Sequence, residues 1–172
     1  MTDENNVVNG FLFLPPALGA WIKSTIPEDE FKGEIPWAPL IKPLAETTFA
    51  LMTSAGINMH DDPPFDMERE RREPIWGDPS YRRIPVIATP ADIDVNHLHV
   101  NTSYIKKDIN VALPINRFQE LSADNTIGAL APTAYSYYGY QMDPTVLINE
   151  TMPQVVADMK AEGVDAVLIT PT

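Results

Sequence analysis

Two histidines, His97 and His99, are the residues whose types and spacing suggest chemistry most directly. On an extended strand, residues two apart point to the same face, so both imidazoles could reach one metal ion or one substrate. Three nearby carboxylates, Asp92, Asp94 and Asp108, could add a metal ligand or orient an imidazole through its other nitrogen. Because the chain has no cysteine, a metal site would use nitrogen and oxygen ligands and would suit zinc, iron, manganese or copper. The alternative is a pair of polar residues that close a strand and bond to the backbone.

A second candidate site is the hydroxyl-rich corner at residues 53–56, Thr-Ser-Ala-Gly. Backbone N–H groups and hydroxyls at such a corner can bind a carboxylate or an oxyanion. Thr53, Ser54 and Gly56 are therefore candidate substrate-binding residues. The alternative is an ordinary tight turn. Ser54 is not predicted to be a nucleophile, because the Gly-x-Ser-x-Gly motif that exposes a catalytic serine is missing.

A third candidate is the turn at residues 77–82, Gly-Asp-Pro-Ser-Tyr-Arg, which brings together an acid, a hydroxyl and a guanidinium. Ser80 and Arg82 could bind a small anion there, since a guanidinium makes strong charge-assisted hydrogen bonds. The same residues fit an Asp-Pro turn with Arg82 in solvent. The charged run that precedes this turn, at residues 67–73, is typical of a solvated surface.

Four tyrosines crowd the stretch that follows a predicted strand at residues 126–130. They are Tyr135, Tyr137, Tyr138 and Tyr140. Phenols on the carboxyl side of a strand could line a pocket or form a subunit interface, where tyrosine is enriched. One or two of them are expected to pack in the core. We take Tyr135 and Tyr137 as candidate substrate-binding residues.

The elements that must position these residues alternate between strands and helices. Strands are predicted at residues 47–53, 83–89, 126–130 and 164–170, and helices at residues 114–121 and from 143 onward. The last helix, with Pro153 expected to kink or split it, leads through Gly163 into an apolar strand, which is half of a parallel βαβ unit. We therefore predict an α/β fold with a mostly parallel sheet and flanking helices, a Rossmann-like half-domain over residues 46–172. Residues 1–45 are proline-rich and are predicted to form an extended arm that packs against another subunit.

Composition limits the classes of partner. The 172 residues suit one domain, and a formal net charge of −12 argues against nucleic acid as a partner. The absence of cysteine excludes disulfides and any thiolate-bound cofactor within this sequence. The acidic N-terminus and the proline-interrupted apolar stretch at residues 11–22 predict neither a targeting signal nor a membrane span, so we expect a soluble cytoplasmic protein.

Several of these stretches, taken in order, resemble one family. They are residues 49–57 (FALMTSAGI), 62–66 (DPPFD), 77–82 (GDPSYR), 97–99 (HLH), 108–110 (DIN), 113–118 (LPINRF), 127–128 (IG) and 164–170 (VDAVLIT). Each stretch is weak alone, whereas the ordered set is similar to the B-component selenoprotein of the glycine, sarcosine, betaine and D-proline reductases. The resemblance covers roughly residues 45–172.

The resemblance implies reductive cleavage of a C–N bond. In that family, the strand resembling residues 164–170 leads into a segment carrying a selenocysteine or cysteine that attacks the substrate, while a pyruvoyl subunit activates the amine. This chain has no such nucleophile and stops at Thr172. We therefore expect either a partner chain that completes the fold and supplies the nucleophile, or a scaffold that has turned to metal-dependent or acid/base chemistry through His97 and His99.

Our leading hypothesis is one subunit of a hetero-oligomeric enzyme that acts on a small amino- or carboxylate-bearing molecule. Thr53, Ser54, Gly56 and Arg82 would bind its carboxylate, and His97 and His99, with Asp108, would carry proton transfer or hold a divalent metal. Two alternatives stand beside it: a non-catalytic scaffold or regulatory subunit, and a His-x-His metalloenzyme. The sequence identifies neither the substrate nor a cofactor.

Overall fold

The computed structural model describes residues 9–26 and 37–172. The chain divides into two compact units, Met1–Ala38 and Pro39–Thr172. Every helix within the described residues is too short or too polar to span a bilayer.

The first unit contains a short 3₁₀ turn, Gly10–Phe13, and helix α1, Pro16–Thr25. A proline at the first helical position is well tolerated there, because its missing N–H would have no helical partner at that position. The extended conformation predicted for residues 1–45 is therefore wrong over α1. Residues 1–8 and 27–36 of the predicted arm lie outside the described residues.

The second unit contains both strands and helices, as predicted, although the sequence predicted only four of its seven strands. The strands are β1 (Thr48–Thr53), β2 (Ile57–Met59), β3 (Tyr81–Pro85), β4 (Ile93–Val95), β5 (Ala129–Leu130), β6 (Thr133–Tyr137) and β7 (Ala166–Thr170). The helices are α2 (Met67–Arg72), α3 (Ile115–Ala123) and α4 (Met152–Ala161), with 3₁₀ turns at Leu44–Glu46 and Ile109–Val111.

β1 is the strand on which the five-stranded sheet is built. It pairs in parallel with β5, β6 and β7, and β3 adds to β6 in the antiparallel direction. β2 and β4 form a separate antiparallel pair. This arrangement confirms an α/β fold with a mostly parallel sheet and flanking helices. Pro85 ends β3 beside β6 at the end of the strand order, an edge position that suits a residue with no N–H group to donate.

The βαβ prediction at the end of the chain is also confirmed. A π-helical turn, Leu147–Thr151, runs directly into α4, and Pro153 lies in the first turn of that helix. The wider π turn accommodates a residue that cannot donate an N–H group to the preceding turn. Gly163 then adopts φ +71°, as a helix C-cap requires, and β7 pairs with β1 along its length.

Two apolar clusters cover the two faces of the sheet. One is built on Leu51 with Ile57, Ile84, Ile109 and Ile115, and the other on Met52 with Ala50, Tyr135, Val155 and Met159. Successive side chains of β1 alternate between the clusters because the side-chain period of a strand is two. Residues 93–113 therefore lie on one face of the sheet and α4 on the other.

The turn after β1 depends on Gly56. Its φ of +66° lies in the left-handed region, and a Cβ atom there would stand 2.3 Å from the carbonyl oxygen of Asn96. Gly56 therefore lets the segment that carries the two histidines approach the end of β1 closely.

Replacing Gly56 with Ala is expected to lower the free energy of unfolding by about 3 kcal/mol, because backbone strain and a clash add together. Gly163→Ala is the matched control: its φ is also positive, but a Cβ atom there meets nothing within 4 Å. We expect about 1–2 kcal/mol for that change. Urea denaturation of both variants measures the difference, and equal losses would contradict the close approach at Asn96.

Candidate active site at the carboxyl ends of the central strands

Residues 96–99 carry both histidines and are called the histidine segment. The chain segments that follow β1 and β6 meet it at one edge of the sheet. Gly56 N–H donates to the carbonyl of Tyr137 at 3.0 Å, and Asn96 N–H donates to the carbonyl of Gly56 at 2.8 Å. Open α/β sheets bind ligands beyond the carboxyl ends of their parallel strands. The two predicted histidines therefore lie where this fold class places its sites.

A buried carboxylate, Glu70, is the centre of this region. Its side chain is only 2% exposed, and its Oε1 lies 2.6 Å from Nε2 of His99. Its Oε2 accepts a hydrogen bond from the hydroxyl of Tyr138 at 2.5 Å. An ionised carboxylate only accepts hydrogen bonds, so we assign the proton of His99 to Nε2. Burial and the bond to Glu70 raise the pKa of Tyr138, which keeps its hydroxyl a donor.

His97 lies beside the same tyrosine in a different environment. Its ring centroid is 4.6 Å from that of Tyr138 and 5.8 Å from that of His99. The Nδ1 atom of His97 accepts the backbone N–H of His99 at 3.2 Å, and its Nε2 atom is buried without a hydrogen-bond partner among the described residues. Burial and the nearby His99 lower the pKa of His97, against an opposing effect of Glu70.

The two histidines reach this site from a turn rather than from one strand. β4 ends at Val95, His97 follows outside the strand, and residues 98–100 form a turn. The two imidazoles are nearly perpendicular, with 84° between the ring planes. The same-face geometry expected of an extended strand is therefore wrong, and the turn brings the rings together instead.

Helix α2 places Glu70 because only one of its charged residues faces inward. Asp66 caps the helix by accepting from the N–H of Arg69 at 2.8 Å. The other charges lie outside and pair with one another, as Arg69 does with Glu73 at 3.0 Å and Arg71 with Glu68. The solvated face predicted for residues 67–73 is thus correct for most of the run and wrong for Glu70, which is buried.

The turn at residues 77–82 braces the start of α2. The carboxylate of Asp78 accepts from the N–H of Asp66 at 2.9 Å and from the hydroxyl of Ser80 at 2.5 Å. Arg82 donates to the carbonyl of Pro63 at 2.8 Å and to the hydroxyl of Ser80 at 2.9 Å. The donors and acceptors that suggested an anion site therefore bind the chain itself, and substrate binding by Ser80 and Arg82 stays a prediction.

Arg82 also stacks on the aromatic side chain that separates this turn from the site. Its guanidinium lies 4.3 Å from the ring centroid of Phe65, and Phe65 packs against Tyr138 with ring centroids 6.3 Å apart. Phe65 is almost fully buried. Arg82 thus helps to hold Phe65 against Tyr138.

The predicted corner at residues 53–56 lies at the site, but its backbone N–H groups are used within the chain. Ser54 N–H donates to Thr170, and Gly56 N–H donates to Tyr137. Ala55 N–H donates to the hydroxyl of Thr53 at 3.3 Å, while the hydroxyl of Ser54 accepts from Thr172 at 2.8 Å. Binding of a substrate by Thr53, Ser54 and Gly56 stays a prediction, and these amides do not form a free anion cradle in this structure.

The four tyrosines separate into two pairs. Tyr135 and Tyr137 belong to the cluster on the α4 face of the sheet. Burial raises the pKa of Tyr135 to about 12. Tyr138 and Tyr140 instead flank the histidines, with 4.4 Å between the ring centroids of Tyr140 and His99. The structure therefore brings to the site the pair that was not selected from the sequence.

Asp108, the predicted partner of the histidines, has a local role. Its carboxylate accepts from the N–H of Asn110 at 2.9 Å and caps the 3₁₀ turn Ile109–Val111. Those hydrogen bonds lower its pKa. Glu70 occupies the orienting position that the sequence had given to Asp108. Within the described part of the chain, no group of three His, Cys, Asp or Glu side chains could hold a metal ion, so the metal role suggested for His97 and His99 has no third ligand here.

A cleft of about 440 Å³ opens between the start of α2 and Asn96, the residue before His97. Its lining includes Phe65, Asp66 and Arg71. The volume is sufficient for a small molecule. The lining includes residues on both sides of Glu70 in α2 and the residue before His97, but neither Glu70 nor either histidine.

This is an α/β protein whose candidate site is a carboxylate, imidazole and phenol cluster suited to proton transfer. The model of the glycine/sarcosine/betaine reductase selenoprotein B family matches residues 23–172, so the chain belongs to that family. The ordered motifs predicted this membership, and the match confirms it.

Two curated relatives agree with this assignment. The chain is 37% identical over 134 residues to the D-proline reductase subunit gamma of Acetoanaerobium sticklandii, which covers 78% of this chain and 52% of the relative. It is 30% identical over 140 residues to the glycine reductase complex component B subunit gamma of Carboxydothermus hydrogenoformans, which covers 80% and 31%. The chain thus spans about half of the first relative and about a third of the second. No solved structure matches the chain.

Because His97 is partly buried, we expect the stability of the folded protein to depend on pH. The ordinary imidazole pKa of 6.5 is lowered in the folded protein. The unfolded chain therefore binds this proton more readily, and the stability due to neutral His97 is lost as pH falls below about 6.5. We expect an NMR titration of the His97 ring to show a midpoint below 6.5. A midpoint at or above that value would contradict the burial argument.

Proposed function

We propose that this chain acts as one subunit of a hetero-oligomeric reductase complex on a small amino- or carboxylate-bearing molecule, with His97 and His99 carrying proton transfer. Family membership supports the class of complex, since the two relatives are named as subunits of D-proline reductase and of the glycine reductase complex. Cleavage of a C–N bond requires a proton for the departing amine, and imidazole is the side chain best suited to exchange one near neutral pH.

The observation that carries the proposal is the hydrogen bond between His99 and Glu70. A carboxylate buried to 2% exposure pairs here with an imidazole that is itself 48% exposed. This arrangement shields the carboxylate from water and leaves the imidazole accessible to a small molecule. The cleft that Asn96 and α2 line supplies a volume in this part of the protein in which such a molecule could bind.

The redox nucleophile is proposed to come from a second chain. These 172 residues contain no cysteine, and the family resemblance implies a selenocysteine or cysteine as the attacking group, which reacts as the selenolate or thiolate. The histidines would then serve a nucleophile that the partner brings to the carboxyl edge of the sheet.

Strand β7 is the surface on which we place this partner. Within the described residues β7 pairs only with β1, although its apolar side chains Val167, Leu168 and Ile169 are 40%, 37% and 53% exposed. Alternate residues of a strand point to opposite faces, so both faces are partly uncovered. An apolar strand with a free edge is suited to pairing with a further strand.

Loss of the proposed proton carriers should abolish turnover without affecting assembly. We expect His99→Ala and His97→Ala each to reduce turnover of the reconstituted complex by about 100-fold or more. The matched control is His60→Ala, because His60 is an exposed histidine that lies 3.8 Å from Asp94 instead of Glu70. Unchanged turnover in both test variants, with normal assembly, would indicate a non-catalytic scaffold.

A charge on β7 should weaken association with the partner subunit. We expect Ile169→Lys to raise the dissociation constant about tenfold or more, since an uncompensated ammonium would be buried in the contact. Ile87→Lys is the control, because Ile87 is 84% exposed outside β7. Titration calorimetry with the purified partner measures the change, and circular dichroism verifies the fold. Equal affinities of the two variants would place the partner elsewhere.

A further inference from the structure

We propose that Glu70 is the positioning residue for His99 and that His99 exchanges the proton through Nδ1. The inference rests on the proposed function, because it names the atom and the supporting residue of the same site. Nothing in the sequence assigned a role to Glu70, which lies within the charged run of α2.

The choice of nitrogen follows from the hydrogen bonds. The Nε2 atom of His99 lies 2.6 Å from the carboxylate of Glu70 and is directed toward the protein interior. In a neutral imidazole one nitrogen carries the proton and the other accepts, so a proton held at Nε2 leaves Nδ1 as the acceptor. Nδ1 has no hydrogen-bond partner among the described residues, and the side chain is 48% exposed. Nδ1 is therefore the ring nitrogen that is left for a small molecule.

Glu70 is itself held in a fixed orientation. Its second oxygen accepts from Tyr138, whose ring is fully buried against Phe65 and His97. Tyr140 stacks on the other imidazole, that of His99, and its hydroxyl donates to the carbonyl of Pro74 at 2.7 Å. Both the carboxylate and the imidazole are thus locked by neighbours, as the pre-organisation of a proton-transfer group requires.

His99 releases each proton that it takes up. When Nδ1 of His99 takes a proton, the imidazolium forms an ion pair with Glu70 through the bond already present at Nε2. When the proton leaves to the departing amine, the neutral ring returns to the same tautomer. Glu70 accepts hydrogen bonds from Nε2 and from the Tyr138 hydroxyl in both states. The groups that face His99 from neighbouring elements are Glu70 on α2, Tyr140 after β6, and His97 on its own segment.

His97 is not equivalent to His99. Its Nδ1 already accepts the backbone N–H of His99, which in the neutral ring leaves the proton on the buried Nε2. Such a ring can donate a hydrogen bond from Nε2, so its part in the proposed proton transfer is that of a hydrogen-bond donor, while His99 is the ring that takes up and releases the proton. The two histidines therefore have different roles: His99 exchanges the proton, and His97 donates a hydrogen bond.

The test is Glu70→Gln with Glu73→Gln as the matched control. Both variants remove one negative charge from the charged run at residues 67–73, but Glu73 is exposed and pairs with Arg69. In ¹⁵N-edited NMR of the wild-type chain, we expect the Nε2 atom of His99 to carry a proton with a downfield resonance and Nδ1 to show the shift of an unprotonated acceptor. The resonance of the proton on Nε2 should move upfield in Glu70→Gln and stay unchanged in Glu73→Gln.

Turnover of the reconstituted complex supplies the second measurement. We expect Glu70→Gln to lower kcat about tenfold or more with little change in KM, and Glu73→Gln to change neither. A proton on Nδ1 of wild-type His99, or unchanged turnover in Glu70→Gln when His99→Ala is inactive, would overturn the inference alone. Full turnover in His99→Ala would instead overturn the proposed function.

Discussion

The burial of Glu70 is the constraint on which the candidate site depends. Removing a carboxylate from water costs several kcal/mol, so it must receive hydrogen bonds from groups held in place. His99 and Tyr138 supply them, and each belongs to a different segment of the chain. One buried charge therefore joins α2, the histidine turn and the segment after β6, and a displacement of any of the three would leave it unpaired.

Two further sets of contacts hold the segments around Glu70 in place. The Asp78 carboxylate and the Arg82 guanidinium fix the entry to α2 through side-chain to backbone hydrogen bonds. The parallel pairing of β1 with β6 brings the turns that follow both strands to the same edge of the sheet. Gly56 then permits the close approach of the histidine segment. The residues that look like anion ligands in the sequence thus act largely as supports for the site.

The strand pattern, the glycine turns and the family motifs were readable from the sequence, because each depends on residues that are close together along the chain. β1, α3, β7 and the C-cap at Gly163 were predicted within a few residues of their observed bounds. The helix α1 was missed since prolines at residues 15–16 suggested an extended chain, although a proline at the first helical turn is compatible with a helix. Glu70 was missed because a charged run alone does not show which residue faces inward.

The sequence alone thus determined the α/β class and the family and named His97 and His99 as candidate site residues, all of which follow from local periodicity or ordered motifs. Only the tertiary structure decided that Glu70 replaces Asp108 beside the histidines, and that Tyr138 and Tyr140, not Tyr135 and Tyr137, flank them. These choices depend on contacts between residues 29 to 68 positions apart. Hydrogen bonding of a buried charge is settled by packing in space, and neither spacing nor composition records it.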